Sequence, residues 1–185
     1  MSQRVLIDRT RMELVLLRLA HQLLEHHPQL ENCCLVGIQP RGVLLARRVR
    51  DVLNRLYPDL KLPYAELDVT FHRDDLRRSS TPIVPESTHV PPDFTTEDRV
   101  VILVDDVLYT GRTVQAALAA ILAFGRPRST ELLVLVDRRR KRELPIEAHY
   151  VGVAVDTLDH ERVLVRWPDN PAETNLVVIQ SQHHV

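Results

Sequence analysis

Two cysteines, two lysines and no apolar run of membrane-spanning length characterise this 185-residue chain. Cys33 and Cys34 are neighbours, so an unstrained disulfide between them is disfavoured; they read as small hydrophobes in a reducing cytoplasm. Charge cuts every apolar run well short of the roughly 18–20 residues a bilayer span needs. Met1-Ser2-Gln3-Arg4 leads into Asp8-Arg9-Thr10-Arg11, where a secretion signal would place an apolar stretch. The expectation is a cytoplasmic protein with no membrane partner. A Gly-Lys-Ser/Thr phosphate loop is absent, as are a Gly-x-Gly-x-x-Gly fingerprint and any repeat of solenoid period.

What is present is ordinary for one soluble domain: 44% hydrophobic and 26% charged residues, which exclude a disordered chain, a collagen or a disulfide mini-fold. The net charge of −1, with nine His counted neutral, gives no global reason to bind nucleic acid. Its distribution is more informative. Apart from Lys61 and Lys141 the basic residues are all Arg, and five bases run together at Arg138-Arg139-Arg140-Lys141-Arg142. The planar Arg fork suits phosphate, so a local anion site is compatible with the neutral total.

Apolar periodicity predicts a helix from Thr10, as its cap, to about His27, closed by Pro28. A buried strand follows at Cys34–Ile38, then a helix near Val43–Leu56 and a strand near Ala65–Phe71. Residues 72–98 lose all periodicity around prolines 82, 85, 91 and 92, which predicts a lid loop or a surface insertion. Val100–Val104 is the strongest strand, followed by a helix over Thr113–Phe124 and a strand over Leu132–Val136. Shorter strands are expected at Ala148–Val155, Val163–Trp167 and Leu176–Ile179. Buried strands alternating with helices define an α/β fold with a mostly parallel central sheet, whose ligands sit beyond the strands' carboxyl ends. Residues 1–185 read as a single domain.

The unusual residues fall at that end. Val101-Ile102-Leu103-Val104 carries Asp105-Asp106 to its tip, and Val107-Leu108-Tyr109-Thr110-Gly111-Arg112-Thr113 turns into a helix. Amides at a helix start, a Gly allowing close approach and two hydroxyls make a phosphate cup. The adjacent carboxylates can accept hydrogen bonds from a sugar's vicinal hydroxyls. One ligand with a phosphate beside a ribose fits this spacing. Pro40-Arg41-Gly42, between a buried strand and a helix, is a second candidate anion loop, with Gly42 freeing amides and Arg41 pairing with charge.

Asp-Asp-Val-Leu-Tyr-Thr-Gly-Arg-Thr resembles the phosphoribosyl pyrophosphate (PRPP) signature of type I phosphoribosyltransferases. In particular, it is similar to the version found in the pyrimidine-operon regulators that are also uracil phosphoribosyltransferases. The likeness extends to Arg18-Leu19-Ala20-His21, Leu35 to Gly42, Thr70 to Leu76, Leu135 to Arg138 and Arg142 to Ile146. It implies that fold, with a flexible lid at 72–98 and a base-binding hood at about 137–165. PRPP would be bound by Pro40, Arg41, Gly42 and residues Asp105 to Thr113, with Thr110–Thr113 on the 5-phosphate and Asp105 and Asp106 on the ribose. Arg41, Arg73, Asp105 and Asp106 would be the catalytic set, Arg73 rooting the lid with Asp74 and Asp75. Mg2+ would arrive on PRPP near Asp105 and Asp106, with no dedicated protein cage. Asp137, Arg138 and Val163 would border uracil.

The resemblance further implies UMP and UTP as ligands, a homodimer or homotetramer, and an RNA-binding attenuator holding a pyr mRNA leader stem-loop. Arg18, His21, Arg139, Arg140, Lys141 and Arg142 would form that RNA face. The chain departs from the regulator pattern at Leu17, Pro40, Glu147 and Val153, and in the longer basic run at 139–141. Glu147 in place of a base opposes a polyanion, while the extra bases favour one. A catalytic-only enzyme, or one acting on hypoxanthine, guanine or orotate, is the alternative reading. His26-His27 and His183-His184 read as solvated ends and not as a metal or triad set.

Overall fold

A computed structural model describes residues 3–70, 88–167 and 176–181. Five parallel strands form the central sheet: β2 (Cys33–Ile38), β3 (Tyr64–Leu67), β4 (Val100–Leu108), β5 (Ser129–Arg138) and β6 (Tyr150–Val155), in spatial order β3-β2-β4-β5-β6. β2 and β4 are buried along nearly their whole lengths because both sheet faces are covered. Alternate residues feed two cores. Cys33, Leu35, Ile102, Val104, Leu133 and Leu135 face helices α1 (Arg9–His26) and α2 (Arg41–Leu56). Cys34, Val36, Val101, Leu103, Leu132 and Val134 face α3 (Arg112–Ile121). Each such aliphatic side chain contributes about 1.5–3 kcal/mol of transfer free energy.

A second, antiparallel sheet of three strands joins β1 (Gln3–Ile7), β7 (Glu161–Arg166) and β8 (Leu176–Ser181) in order β1-β8-β7. Sequence periodicity misses β1. Its outer residues Gln3, Arg4 and Val5 are exposed, and its partner lies at the other end of the chain, so no local pattern announces it. Of the 137–165 span expected as the hood, residues from Glu161 on lie in this small sheet, while Asp137, Arg138 and Tyr150–Val155 belong to the central one.

Other differences have local causes. Asp8, not Thr10, caps α1, its carboxylate accepting the Arg11 amide at 2.8 Å. The third helix ends at Ile121, and Leu122–Phe124 is a 3-10 turn. Of the two His expected as solvated ends, His26 is exposed, whereas His27 is partly buried and held by Glu131. His27 Nε2 lies 2.9 Å from Glu131 Oε2, and the Tyr150 hydroxyl donates to the same oxygen at 2.6 Å. His26 Nδ1 is 3.2 Å from that hydroxyl. Burial pushes the Glu131 carboxyl up, but the Tyr150 and His27 hydrogen bonds outweigh it and hold the group below its ordinary value. This network ties the carboxyl end of α1 to β5 and β6. Of the expected 72–98 loop, residues 88–98 pack back onto the body. His89 bridges Glu66, and Thr96 is buried.

Candidate functional site

The parallel register brings three strand ends together. Gly37 of β2 lies beside Val104 and Leu108 of β4 beside Asp137, so the loops after β2, β4 and β5 open on one edge. β4 runs four residues further than its apolar pattern predicts, to Leu108. Asp105 and Asp106 therefore do not project from a strand tip; they lie within the strand, 8% and 6% exposed. The Asp106 amide donates to Asp105 Oδ1 at 2.9 Å, while Asp106 Oδ2 is buried with no hydrogen-bond partner among the described residues. Burial pushes the Asp106 carboxyl up to about 6, against the pull of the Arg41 charge and the Val107 amide.

Beyond Asp106 the chain forms a cavity of about 450 Å3, lined by Asp105, residues 107–114 and Glu143. Gly111 sets its geometry: at φ 95° it lies in the left-handed region and caps α3, and a Cβ there would meet Ile146 at 3.3 Å. Thr110, Arg112 and Thr113 surround it. Arg112 is paired with Glu143, at 2.8 Å from Nε and 2.7 Å from its terminal nitrogen. The Glu143 and Leu144 amides donate to the Thr110 carbonyl at 3.0 and 3.2 Å, closing the segment after β5 over the turn. Sequence reasoning assigned Glu143 no role in the site, although it sits in the quoted Arg-Glu-Leu-Pro stretch. Leu108 is buried in the core beneath α3, and Val107 packs partly buried against the other core.

The second loop joins β2 to α2. Arg41 is the exposed first residue of α2 and reaches Asp106 electrostatically, and Pro40 precedes it as N-cap. Gly42 is buried against β4, where a Cβ would lie 2.2 Å from the Val104 carbonyl oxygen. The glycine is required for this helix–strand contact. Arg73 lies outside the described residues.

Beside the cavity, Arg138 is 6% exposed and makes a bracket. Its Nε donates to Thr157 Oγ1 at 2.9 Å, a terminal nitrogen donates to the Glu161 carbonyl at 3.1 Å, and its guanidinium lies 4.1 Å from the Tyr109 ring centroid. It thus links the cup's turn to the loop before β7, a role its sequence position does not reveal. Asp137 is ion-paired with Arg142, which also donates to the Tyr109 carbonyl. Val163 is 8% exposed and points inward from β7 into the core shared with α1.

The expected RNA face is largely tied down. Arg18 donates to the Val151 carbonyl at 3.2 Å and the Gly152 carbonyl at 2.5 Å. Arg140 pairs with Asp156 at 3.3 Å, Lys141 with Asp159 and Arg142 with Asp137. His21 and Arg139 are exposed. Among the described residues no helix is long and apolar enough to cross a membrane, and no group of three His, Cys, Asp or Glu side chains is placed to hold a metal.

A parallel sheet with two buried carboxylates beside a glycine-capped helix start is the architecture of a phosphoribosyltransferase. The model of the phosphoribosyl transferase domain matches residues 6–169, and the chain belongs to that family. Within it, the chain is 45% identical over 177 residues to the bifunctional protein PyrR of Caldicellulosiruptor bescii, covering 95% of this chain and 93% of that one. It is 41% identical over 178 residues to the bifunctional protein PyrR of Bacillus subtilis, covering 95% of each. The PyrR of Haemophilus ducreyi is 41% identical, covering 97% of this chain and 98% of its own. Solved structures share the fold. A hypoxanthine phosphoribosyltransferase from Staphylococcus aureus superposes with TM-score 0.62 at 21% identity, over 85% of this chain and 79% of that one. One from Trypanosoma cruzi gives 0.68 at 14%, over 96% and 91%.

Proposed function

We propose that this protein transfers the 5-phosphoribosyl group of PRPP to uracil, forming UMP and pyrophosphate, and that it doubles as a uridine-nucleotide-responsive RNA attenuator of PyrR type. The observation that carries the catalytic half is that Asp105 lines the glycine-capped cavity and is followed by Asp106, whose Oδ2 is buried with no hydrogen-bond partner among the described residues. An acceptor with no donor, next to a cup of amides and hydroxyls, suits a ribose diol attached to a 5-phosphate.

Departure of pyrophosphate from C1 develops positive charge on the ribose and negative charge on the leaving group. Asp105 and Asp106 hold the diol and face the developing positive charge. Thr110, Gly111 and Thr113 seat the 5-phosphate, and Arg112 exchanges Glu143 for it. Arg41, at the start of α2, interacts electrostatically with Asp106 and draws on the pyrophosphate in this reading. Asp105 and Asp106 would lie near an Mg2+ ion carried by PRPP, which would help neutralise the leaving group. The base lies between the carboxyl end of β5 and the small sheet, above the Tyr109–Arg138 bracket. The chain acts as one domain and as a homodimer or homotetramer in the cytoplasm.

The test is conversion of uracil with PRPP and Mg2+, run beside guanine, hypoxanthine and orotate. UMP formation that falls at least about 10²-fold in Asp105→Asn/Asp106→Asn supports the reading. Turnover of guanine without uracil overturns it. For the regulatory half, binding of a pyr leader stem-loop should weaken steeply with salt. A flat salt response contradicts it.

A further inference from the structure

A second cavity, of about 460 Å3, lies at the opposite end of the central sheet. Arg50 and Asn54 of α2, the 60–64 segment leading into β3 and part of the 91–99 segment leading into β4 enclose it. Arg99 immediately precedes β4 and Asp105 is six residues further on, so this cavity is about 20 Å from the candidate PRPP site at about 3.3 Å per residue.

Three cations line it, Arg50, Lys61 and Arg99, against one carboxylate, Asp93. Among the described residues none of the three has an ion-pair partner, so the cavity carries an excess of positive charge over the single carboxylate of Asp93. Arg50 is held in place from behind. Its guanidinium stacks 4.4 Å from the Tyr64 ring centroid, and the Tyr64 hydroxyl donates to Glu66 at 2.8 Å. Glu66 is itself taken by Arg47, at 2.9 and 2.7 Å, and is not available to neutralise Arg50. Arg50 Nε is buried with no hydrogen-bond partner among the described residues. A buried, charged donor with nothing to donate to is costly, and an anionic acceptor in the adjoining cavity removes the cost.

We propose that this cavity is a second anion site, which takes the phosphate group of a small phosphorylated molecule. Its volume falls within the roughly 300–1,000 Å3 typical of small-molecule sites, and Tyr64 and Phe94 supply apolar wall for whatever carries the phosphate. The inference stands apart from the uracil reading, since no residue of the PRPP cup contributes to it.

Nε–Hε correlation spectra of 15N-arginine-labelled full-length protein test it, with the Arg50 signal assigned by its loss in Arg50→Gln. Titrations with inorganic phosphate, UMP and uridine separate the sources. A saturable shift of the Arg50 signal with phosphate and UMP identifies a phosphate site; a shift with UMP alone identifies one that needs the nucleoside as well. Either shift should need at least about fivefold more ligand in Lys61→Gln/Arg99→Gln, whose substitutions remove two of the charges that strengthen such bonds. Uracil turnover should be unchanged in that variant, so failure here is distinguishable from failure of the catalytic reading. No shift with either phosphate compound, an equal shift with uridine, or an equal shift with chloride at matched ionic strength overturns the proposal.

Discussion

Replacing Asp106 by Asn should make the protein more stable while disabling it. Asp106 is 6% exposed, and burial raises its carboxyl from an ordinary 3.8 to about 6 even with Arg41 nearby. That displacement corresponds to roughly 3 kcal/mol between its two protonation states. The sign follows from proton counts. Between about pH 4 and 6 the folded chain holds a proton that the unfolded chain has released, so stability falls as pH rises through this window and stays lower above it. Asn carries no charge at any pH and escapes the loss. Asp106→Asn should therefore gain up to about 3 kcal/mol at pH 7.5, or up to about 6–12 °C in Tm at 2–4 °C per kcal/mol for a chain of this size. The gain should vanish below about pH 4, where both side chains are neutral. Over the same range, kcat/KM for PRPP in the wild type should fall as pH drops below about 6 and the carboxylate is lost. Thermal unfolding of both proteins at pH 4, 5, 6 and 7.5 measures this. A variant less stable than wild type at pH 7.5, or a Tm difference independent of pH, would refute the reasoning.

Gly111→Ala should cost about 1–2 kcal/mol from its left-handed backbone and raise the KM for PRPP more than that for uracil, which steady-state kinetics will show. Gly42→Ala places a Cβ 2.2 Å from the rigid Val104 carbonyl, so it should lower stability by at least about 2–3 kcal/mol in denaturant unfolding and perturb the Asp106 environment with it. Asp156→Asn/Asp159→Asn frees Arg140 and Lys141 from their partners and removes two like charges near the RNA phosphates. It should tighten binding of the leader stem-loop by about 2–10-fold in filter assays at low salt, with little change in stability.

The central sheet was legible because its strands are near-continuous apolar runs and its helices carry clear stripes. The thirteen residues from Val101 to Thr113 combined a buried strand, paired carboxylates and a Gly turn in one local window, so they marked the site before any geometry. What depended on distant partners was not legible. β1 finds β8 only across the whole chain. The charge of the 138–142 run promised an open basic face, yet Asp137, Asp156 and Asp159 take three of its members. Arg138 resembled a base contact, but its charge is held by Thr157, the Glu161 carbonyl and the Tyr109 ring. Val163 lies on the inward side of a strand whose facing depends on the small sheet's register. In Asp105 and Asp106 the apolar pattern stopped while the strand continued, because pairing with Val134 and Val136 of β5 on either side carries the ladder past the polar residues.

A crystal structure of the protein soaked with PRPP and Mg2+ is the most direct examination of the cup at the end of β4. The 5-phosphate should sit on the Thr110–Thr113 amides and hydroxyls, with the ribose diol within about 3.2 Å of the Asp105 and Asp106 carboxylates. PRPP bound elsewhere, or bound with its diol turned away from both aspartates, would contradict the account.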